Sequence, residues 1–222
     1  MSRAVRPRAA RKSAEERAAE IRTGARDVAL EGGLWAVTLR SVAARVGVTP
    51  ALVAHYQPNM EVLVADTFTA VVAAEMAEVA GIVEPYTSPT DRLAALIHTL
   101  IETARDDVTT VWLDGWSLGR RSAPLATAVR AQMDAWQHLV LGIVDDGCST
   151  GEFTASDPQT VAWHLLGMVD GLSAQGLVSY RDPAARGRLV TDALEHALGL
   201  PSGALTAPAG ASATTGCSAA RA

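Results

Sequence analysis

The chain has few cysteines, few aromatic residues and no long apolar run. Its 222 residues include two cysteines, Cys148 and Cys217, whose separation suits neither a metal site nor a redox pair. No uninterrupted apolar stretch approaches the roughly 18 residues that a membrane span requires, and the first residues lack the apolar region of a signal peptide. We therefore expect a cytoplasmic protein with no membrane segment, no metal and no cofactor.

Recognisable catalytic motifs are missing as well. The sequence has no Gly-rich phosphate loop, no nucleophile elbow, no His-Glu-x-x-His and no Cys-x-x-Cys. These absences predict that the chain is not an enzyme, although all-helical enzymes assemble their sites from scattered residues. The composition, 49% hydrophobic and 19% charged, is that of an ordinary globular protein.

What the chain does have is an uneven distribution of charge. Residues 1–60 hold ten basic and five acidic side chains, so their net charge is +5. The remainder has a net charge of −10, and the whole chain −5. Such asymmetry steers the N-terminal end towards phosphate. Residues 1–12 contain five positive charges and no acid. We expect a disordered basic arm there, in which Arg8 and Arg11 contact a phosphate or an A·T-rich minor groove. A solubilising leader without a role is the alternative.

Residues 38–56, TLRSVAARVGVTPALVAHY, form the most informative stretch. Thr38 can cap a short helix whose apolar residues recur at the spacing of one buried helical face. Gly47 can take the positive φ angle of a sharp turn, and Thr49 with Pro50 can begin a second helix. This is the spacing of a helix-turn-helix, in which the second helix enters the major groove. An ordinary antiparallel helix pair is the alternative.

Small and polar side chains on the second helix are the candidates for reading bases. Ala51 and Ala54 offer methyl contacts, while His55 and Tyr56 can donate to a base edge or a phosphate. Arg45 and the residues near the two helix starts are better suited to clamp the DNA backbone. The predicted DNA-binding residues are Arg8, Arg11, Thr38, Arg40, Ser41, Thr49, Pro50, Ala51, Ala54, His55 and Tyr56. Since direct base contacts are few, we expect DNA shape and half-site spacing to supply much of the specificity.

At these residues the chain resembles the tetracycline-repressor (TetR) family of bacterial transcriptional regulators. The matching residues are Thr38, Val42, Ala43, Val46, Gly47, Val48, Thr49, Ala51, Val53, Tyr56 and Leu63. The His55-Tyr56 pair is similar to the branch that includes the repressor of the betaine synthesis pathway. Gln57 and Met60 depart from the family pattern, which usually has Phe and Lys there. The resemblance implies a dimeric regulator with an N-terminal DNA-binding domain.

Helix start and stop signals follow one another along the whole chain, and no segment reads as a strand. Ser13 and Glu16 form a capping-box pattern, and a cap followed by proline recurs at Asp157 and Asp182. The pattern predicts an all-α protein of about nine helices. Its expected segments are a basic arm at 1–12, a three-helix helix-turn-helix domain at 13–58, a helical ligand-binding and dimerisation domain at 59–199, and a disordered tail at 200–222.

The predicted eighth helix, TVAWHLLGMVDGLSAQGLV, is too apolar for a free surface. Its apolar residues cover more than one stripe, and Gly167 and Gly171 allow another helix to approach closely. We expect this helix to pair with its own copy, with help from the ninth helix, in a four-helix interface. The predicted interface residues are Val161, Leu165, Gly167, Met168, Gly171, Leu172, Leu194 and Leu198. A helix at the centre of a monomeric bundle is the alternative.

Four of the five tryptophans lie in the second half of the chain, where they can line an apolar cavity for a small molecule. The predicted ligand-binding residues are Phe68, Met76, Ile97, Trp112, Trp116, Met133, Trp136, Trp163 and Met168. Asp114, Asp134 and Asp170 lie near these aromatic residues in sequence, and a buried carboxylate beside Trp would favour a cationic ligand. The alternative is that the aromatic side chains only fill the core.

Together these features predict a ligand-responsive transcriptional regulator. Its expected form is a homodimeric repressor that binds a pseudo-palindromic operator in double-stranded DNA and is released by a small apolar or cationic molecule. The alternative is a helical small-molecule-binding protein, or an enzyme, whose degenerate N-terminal domain does not bind DNA.

Overall fold

A computed structural model describes residues 13–102 and 105–206. Within these ranges the regular structure is entirely helical, which confirms the all-α prediction. The helices are α1 (Ala14–Gly32), α2 (Leu39–Val46), α3 (Pro50–Tyr56), α4 (Met60–Val83), α5 (Pro89–Ile101), α6 (Asp106–Gly119), α7 (Ala123–Thr150), α8 (Pro158–Gly176) and α9 (Pro183–Leu198). A short 3-10 turn at Leu34–Ala36, which the sequence pattern did not predict, joins α1 to α2. Among the helices of the described ranges, none is both long and apolar enough to cross a membrane.

The helix starts are stabilised by the side chains that the sequence pattern indicated. The backbone amide of Ser13 donates to Glu16 Oε2 at 2.6 Å, and the amide of Glu16 donates to Ser13 Oγ at 3.1 Å, which completes a capping box. Asp157 and Asp182 each accept a hydrogen bond from a backbone amide in the first turn of α8 and α9. In both helices proline occupies the first position, where its missing amide leaves no hydrogen bond unmade.

Helix α4 connects two packed units. The head, residues 13–58, consists of α1, α2 and α3 around a small core in which Ile21, Val42 and Val53 are fully buried. The body, residues 59–206, packs α4 and α5 through α9 around one another. Helices α4 and α6 also contact α1, so both of them join the body to the head. Both helices are therefore in direct contact with the first helix of the head.

The first part of the predicted tail is folded against the body. The carboxylate of Glu195 on α9 is buried and accepts hydrogen bonds from the backbone amides of Gly203 at 2.9 Å and Leu205 at 2.8 Å. The side chain of Leu205 is also buried. A disordered tail beginning at residue 200 is thus wrong for residues 200–206, because this acceptor and this one apolar side chain hold the segment. The rest of the predicted tail and the arm at 1–12 lie outside the described residues.

Candidate functional site

The turn between α2 and α3 has the backbone geometry that a helix-turn-helix requires. Gly47 adopts φ +67° and ψ +38°, in the left-handed region that favours glycine, and Val48 donates its amide to the carbonyl of Ala43 at 2.9 Å. Thr38 forms a capping box with Ser41 at the start of α2, and Thr49 Oγ1 accepts from the amide of Leu52 at 3.3 Å at the start of α3. The turn at Gly47 and the helix caps at Thr38 and Thr49 are therefore present as predicted.

Helix α3 exposes three of the five side chains that the sequence assigned to DNA contact. Val53 is fully buried and fixes α3 to the head, while Pro50, Ala51 and His55 are exposed. Ala54 and Tyr56 are half-buried, and the rings of His55 and Tyr56 meet edge to face with centroids 5.1 Å apart. The exposed side of α3 is short and carries few hydrogen-bonding groups, which suits a major-groove helix that reads few bases directly.

The predicted backbone-clamping residues differ in how freely they can reach DNA. Thr38, Arg40 and Thr49 are exposed, and Arg40 makes no ion pair with any described residue. The hydroxyl of Ser41 donates to the carbonyl of Ala36 at 2.5 Å and accepts from the amide of Thr38, so its hydrogen bonds are already made within the head. Arg8 and Arg11 lie outside the described residues.

Arg45 is held by another part of the head. Its Nη1 donates to Glu31 Oε1 at 2.7 Å and its Nη2 donates to Glu31 Oε2. A bidentate ion pair therefore joins α2 to α1. This pair holds the pKa of Glu31 below its usual value. Arg45 is exposed, so a phosphate would compete with Glu31 for its guanidinium, and its role as a backbone clamp stays a prediction.

The body contains a cavity of about 330 Å³ that opens to the surface between α6, α7 and α8. Trp112 and Trp116 of α6 form one wall, with ring centroids 5.5 Å apart, and Trp136 of α7 is buried beside them. Trp163 of α8 lies at the rim with 68% of its surface exposed. The full lining is Glu75, Leu100, Arg105, Thr109, Trp112, Leu113, Trp116, Met133, Asp134, Trp136, Gln137, Gln159, Thr160, Trp163, Leu166, Gly167, Val169, Asp170 and Ser173.

Two carboxylates of the lining are withdrawn from solvent, Glu75 fully and Asp170 in part. Asp170 accepts no hydrogen bond from any described residue, and burial raises its pKa from 3.8 to about 6. Glu75 of α4 accepts a hydrogen bond from Trp112 Nε1 at 3.2 Å, and its Oε1 lies 3.8 Å from Arg105 Nη1. Burial raises the pKa of Glu75, while Trp112 and Arg105 oppose that rise. The cavity thus holds a half-buried acid without a partner, Asp170, and a buried acid, Glu75, whose charge is partly compensated.

Five of the nine predicted ligand-binding residues line this cavity, and four do not. Trp112, Trp116, Met133, Trp136 and Trp163 are in the lining. Phe68 is fully buried behind it, where its ring meets Trp112 edge to face at 5.1 Å and supports the wall. Ile97 is buried in the core, Met76 is half-buried away from the lining, and Met168 lies in a separate groove. These four residues therefore lie outside the cavity lining.

The sequence contained one overlooked signal for this site. Glu75 follows Phe68 by seven residues and Val71 by four, so it lies on the buried stripe of α4, where a carboxylate is unusual. Leu100, Arg105, Thr109 and Gln159 were missed for a different reason. Nothing in their local sequence separates them from ordinary core and surface residues.

A second groove lies between α8 and α9 on the outer face of the body. Its lining is Val161, Trp163, His164, Gly167, Met168, Ala193, Leu194 and Ala197. Of the predicted interface residues, Gly167 and Gly171 are exposed, and Met168 and Leu172 are half-buried. Val161, Leu165, Leu194 and Leu198 are buried by their own chain. Leu165 and Leu198 therefore hold α8 and α9 on the body of their own chain, Val161 and Leu194 also line the groove, and the interface with a second copy stays a prediction.

A helix-turn-helix with an exposed second helix, joined by one long helix to a body that contains a cavity, defines a one-component, ligand-responsive DNA-binding regulator. The family model described as "BetI-type transcriptional repressor, C-terminal" matches residues 89–199, which is half of the chain. The chain therefore belongs to the TetR-type transcriptional regulators with a BetI-type C-terminal domain. Regulators of this family bind operator DNA and dimerise, and they are in general not enzymes.

Solved structures share the fold. A TetR-family regulator from Rhodococcus sp. has 19% sequence identity and a TM-score of 0.70, with 83% of this chain and 99% of that chain covered. A transcriptional regulator from Saccharomonospora viridis in complex with choline has 19% identity and a TM-score of 0.74, covering 83% and 98%. A TetR-family regulator from Agrobacterium tumefaciens has 18% identity and a TM-score of 0.70, covering 84% and 100%. Comparison with curated protein sequences gave no match.

Proposed function

We propose that this regulator is a dimeric repressor that leaves its operator when a small organic cation occupies the cavity of the body. The observation that carries the proposal is Asp170, a half-buried carboxylate without a partner among the described residues, in a cavity lined by four tryptophans. A charge withdrawn from solvent in this way is costly unless an opposite charge accompanies it. A cationic ligand supplies that charge.

The charge and shape of the lining favour a cation with an apolar shell. Glu75, Asp134 and Asp170 line the cavity together with one cation, Arg105, which also pairs with Glu78 at 2.7 Å outside it. Tryptophan faces attract quaternary ammonium groups through the ring quadrupole. The Saccharomonospora viridis regulator was solved with choline, a molecule of this class, and this supports the same class here.

Signal transfer follows from the position of Glu75. This residue lies on α4, whose first residue, Met60, follows the head after a short link. A cation that competes for Glu75 weakens its contacts with Trp112 and Arg105 and so shifts α4 relative to α6. A difference in ligand affinity between the two arrangements of roughly 1 to 3 kcal/mol is sufficient for a switch.

Binding to DNA follows the usual geometry of a dimeric helix-turn-helix protein. Two α3 helices, one from each copy, enter successive major grooves about 34 to 36 Å apart, as a pseudo-palindromic operator requires. The proposed contacts are those of Pro50, Ala51 and His55 with bases and of Thr38, Arg40 and Thr49 with phosphates. Arg8 and Arg11 of the arm are proposed to add contacts that increase the salt dependence.

The test is a gel shift with DNA from upstream of the protein's own gene, without and with choline. Its uncharged carbon analogue, 3,3-dimethylbutan-1-ol, is the matched control because it has the same shape without the charge. We expect retardation at low salt that choline reverses and the alcohol does not. Retardation that the alcohol reverses equally well would contradict a cationic effector, and no retardation at low salt would favour the helical protein that does not bind DNA.

A further inference from the structure

The cavity of the body is elongated. Its lining on α8 runs from Gln159 to Ser173, which are fourteen positions apart, or about 21 Å of helix at 1.5 Å per residue. Its lining on α6 runs from Arg105, the residue before the helix, to Trp116, which is about 16 Å. Two helices therefore border one space over several turns each, and a long ligand fits it better than a round one.

Two carboxylates lie at different points along this length. Asp170 follows Gln159 by eleven residues, which is about 16 Å further along α8. Asp134 is on α7, one helical turn before Gln137, and the side-chain amide of Gln137 donates to the carbonyl of Gln159 at 2.9 Å. Asp134 therefore belongs to the end of the cavity at which α8 begins, and Asp170 lies well beyond it.

The surroundings of these two carboxylates differ in exposure. Asp134 is exposed, Met133 beside it is 40% exposed, and Trp163, one turn after Gln159 on α8, is 68% exposed. Asp134 and Trp163 together form what we call the outer site, where a carboxylate and an indole can hold an alkylammonium group by charge and by the ring quadrupole. The inner site is the half-buried Asp170, where a cation is withdrawn from water.

The charges of the lining call for more than one cation. Its acids are Glu75, Asp134 and Asp170, and among the described residues its one base is Arg105. Arg105 also donates to Glu78 at 2.7 Å, outside the lining, and its Nη1 lies 3.8 Å from Glu75 Oε1. Arg105 thus balances at most one of the three acids. At least two negative charges of the lining have no opposite charge within it, and a monocation neutralises one of them.

We infer that the effector is an elongated dication, with one alkylammonium group at the inner site and a second at the outer site. Trp163 and Asp170 are seven residues apart, so they share a face of α8 at an axial distance of about 10 Å. Leu166 and Gly167 lie between them on that face and offer no polar side chain, which suits an apolar connecting chain. This inference rests on the proposed function, because it specifies the charge and length of the cation that releases the operator.

The second charge raises affinity because the first one holds it in place. Once one end of a dication is bound beside Asp170, the other end stays close to Asp134, so the second contact forms at a high effective concentration. Choline fills the inner site alone. It is therefore expected to release the operator only at higher concentrations than a dication of the right length.

The experiment compares two probes that differ by one charged group. Hexamethonium carries a trimethylammonium group at each end of a six-carbon chain, and hexyltrimethylammonium has the same chain with one such group. Calorimetric titration of the full-length protein at low salt is expected to show about tenfold tighter binding of hexamethonium, which exceeds the twofold advantage of having two equivalent ends. The homologue with a three-carbon chain cannot reach both sites and is expected to bind no better than hexyltrimethylammonium.

Two variants locate the second charge. Asp134→Asn removes the carboxylate of the outer site at an exposed position, so the fold is retained, and it is expected to abolish the advantage of hexamethonium while leaving the affinity for hexyltrimethylammonium nearly unchanged. Asp145→Asn, at another exposed acid of α7 that is not in the lining, is the matched control and is expected to preserve the advantage. An advantage that Asp134→Asn retains, or that both variants lose equally, would overturn the inference.

The gel shift separates this inference from the proposed function. If choline releases the operator but hexamethonium binds no more tightly than hexyltrimethylammonium, the inference is overturned and the proposed function stands. If hexamethonium binds in a manner that depends on Asp134, yet neither it nor choline releases the operator, the two-charge site is supported and the proposed function is refuted. Absence of binding by all of these cations would overturn both.

Discussion

The carboxylate of Asp114 on α6 accepts a hydrogen bond from the backbone amide of Trp35 in the head, at 3.5 Å and across 79 positions of sequence. Burial raises the pKa of Asp114, and the amides of Trp35 and Leu34 oppose that rise. The same helix places Trp112 and Trp116 in the wall of the cavity. Helix α6 therefore lines the cavity with Trp112 and Trp116 and contacts the head with Asp114.

Replacement of Asp114 by alanine is expected to weaken the coupling between the two sites. The contact with the head is lost while the tryptophans stay in place, so an effector lowers operator affinity by a smaller factor than in the parent protein. Operator affinity is measured by fluorescence anisotropy with and without the effector found in the gel-shift assay. Asp106→Ala, an exposed acid at the start of α6, is the control. An unchanged ratio of affinities in Asp114→Ala would show that this contact carries no signal.

Replacement of Gly47 by alanine is expected to destabilise the head by about 1 kcal/mol. A Cβ atom at Gly47 would meet no atom within 4 Å, so the cost comes from the left-handed backbone alone. The free energy of unfolding is measured in urea at a fixed protein concentration, because dimer stability depends on concentration. The control is Gly142→Ala in the middle of α7, where an added Cβ atom also meets no atom within 4 Å. This substitution is expected to raise the free energy of unfolding by about 0.5 to 1 kcal/mol, because alanine favours a helix interior more than glycine does.

Replacement of Asp170 by asparagine is expected to stabilise the unliganded protein near neutral pH. The pKa of this carboxyl is about 6 in the folded state and 3.8 ordinarily, so between these values the folded state binds more protons than the unfolded state. Stability of the parent protein therefore falls as the pH rises from about 4 to about 6, and Asn removes that loss. The gain at pH 7.5 is on the order of 2 kcal/mol and vanishes below pH 4.

Urea unfolding at a series of pH values measures this effect. Asp66→Asn, an exposed acid on α4, is the control and is expected to change stability little at any pH. Glu75 shares the cavity and titrates in both proteins, so only the difference between Asp170→Asn and the parent is informative. A difference that does not depend on pH would contradict the raised pKa of a half-buried, unpaired Asp170.

Replacement of Met60 by lysine is expected to strengthen operator binding. Met60 is the first residue of α4, and three residues separate it from the end of α3. One new cation per subunit at this position is expected to contact one more phosphate in each half-site. The plot of log affinity against log salt concentration should steepen by about two for the dimer. Ala73→Lys, further along α4 on an exposed position, adds the same charge within the body. An equal change in both variants would indicate a general charge effect rather than a phosphate contact.

Local sequence predicted most of the helix boundaries, because the responsible residues act within a few positions of themselves. The capping box of Ser13 and Glu16, the positive φ of Gly47 and the cap before Pro158 all appear in the structure as the sequence indicated. Each involves a backbone amide or a dihedral angle close to the residue itself. Such interactions need no knowledge of the fold.

The sites were only partly predictable, because periodicity tells how many apolar faces a helix has and not which neighbour each face meets. Phe68 and Ile97 were assigned to the cavity, yet both are buried in the core, while Glu75 reaches the cavity from the same stripe of α4 as Phe68. Leu165 and Leu198 were assigned to a second copy, yet the body of their own chain covers them.

The amino-acid sequence by itself determined that this protein is helical, where its helices begin, and that a turn at Gly47 separates two short helices in a basic N-terminal part. Only the tertiary structure decided that Asp170 lies unpaired in a tryptophan-lined cavity, that Glu195 holds residues 200–206, and that Trp163 stands between the cavity and the outer groove. The physical reason is the sequence distance over which each feature is decided, since caps and turns depend on residues only a few positions away. A cavity depends on where helices distant in sequence leave space between them.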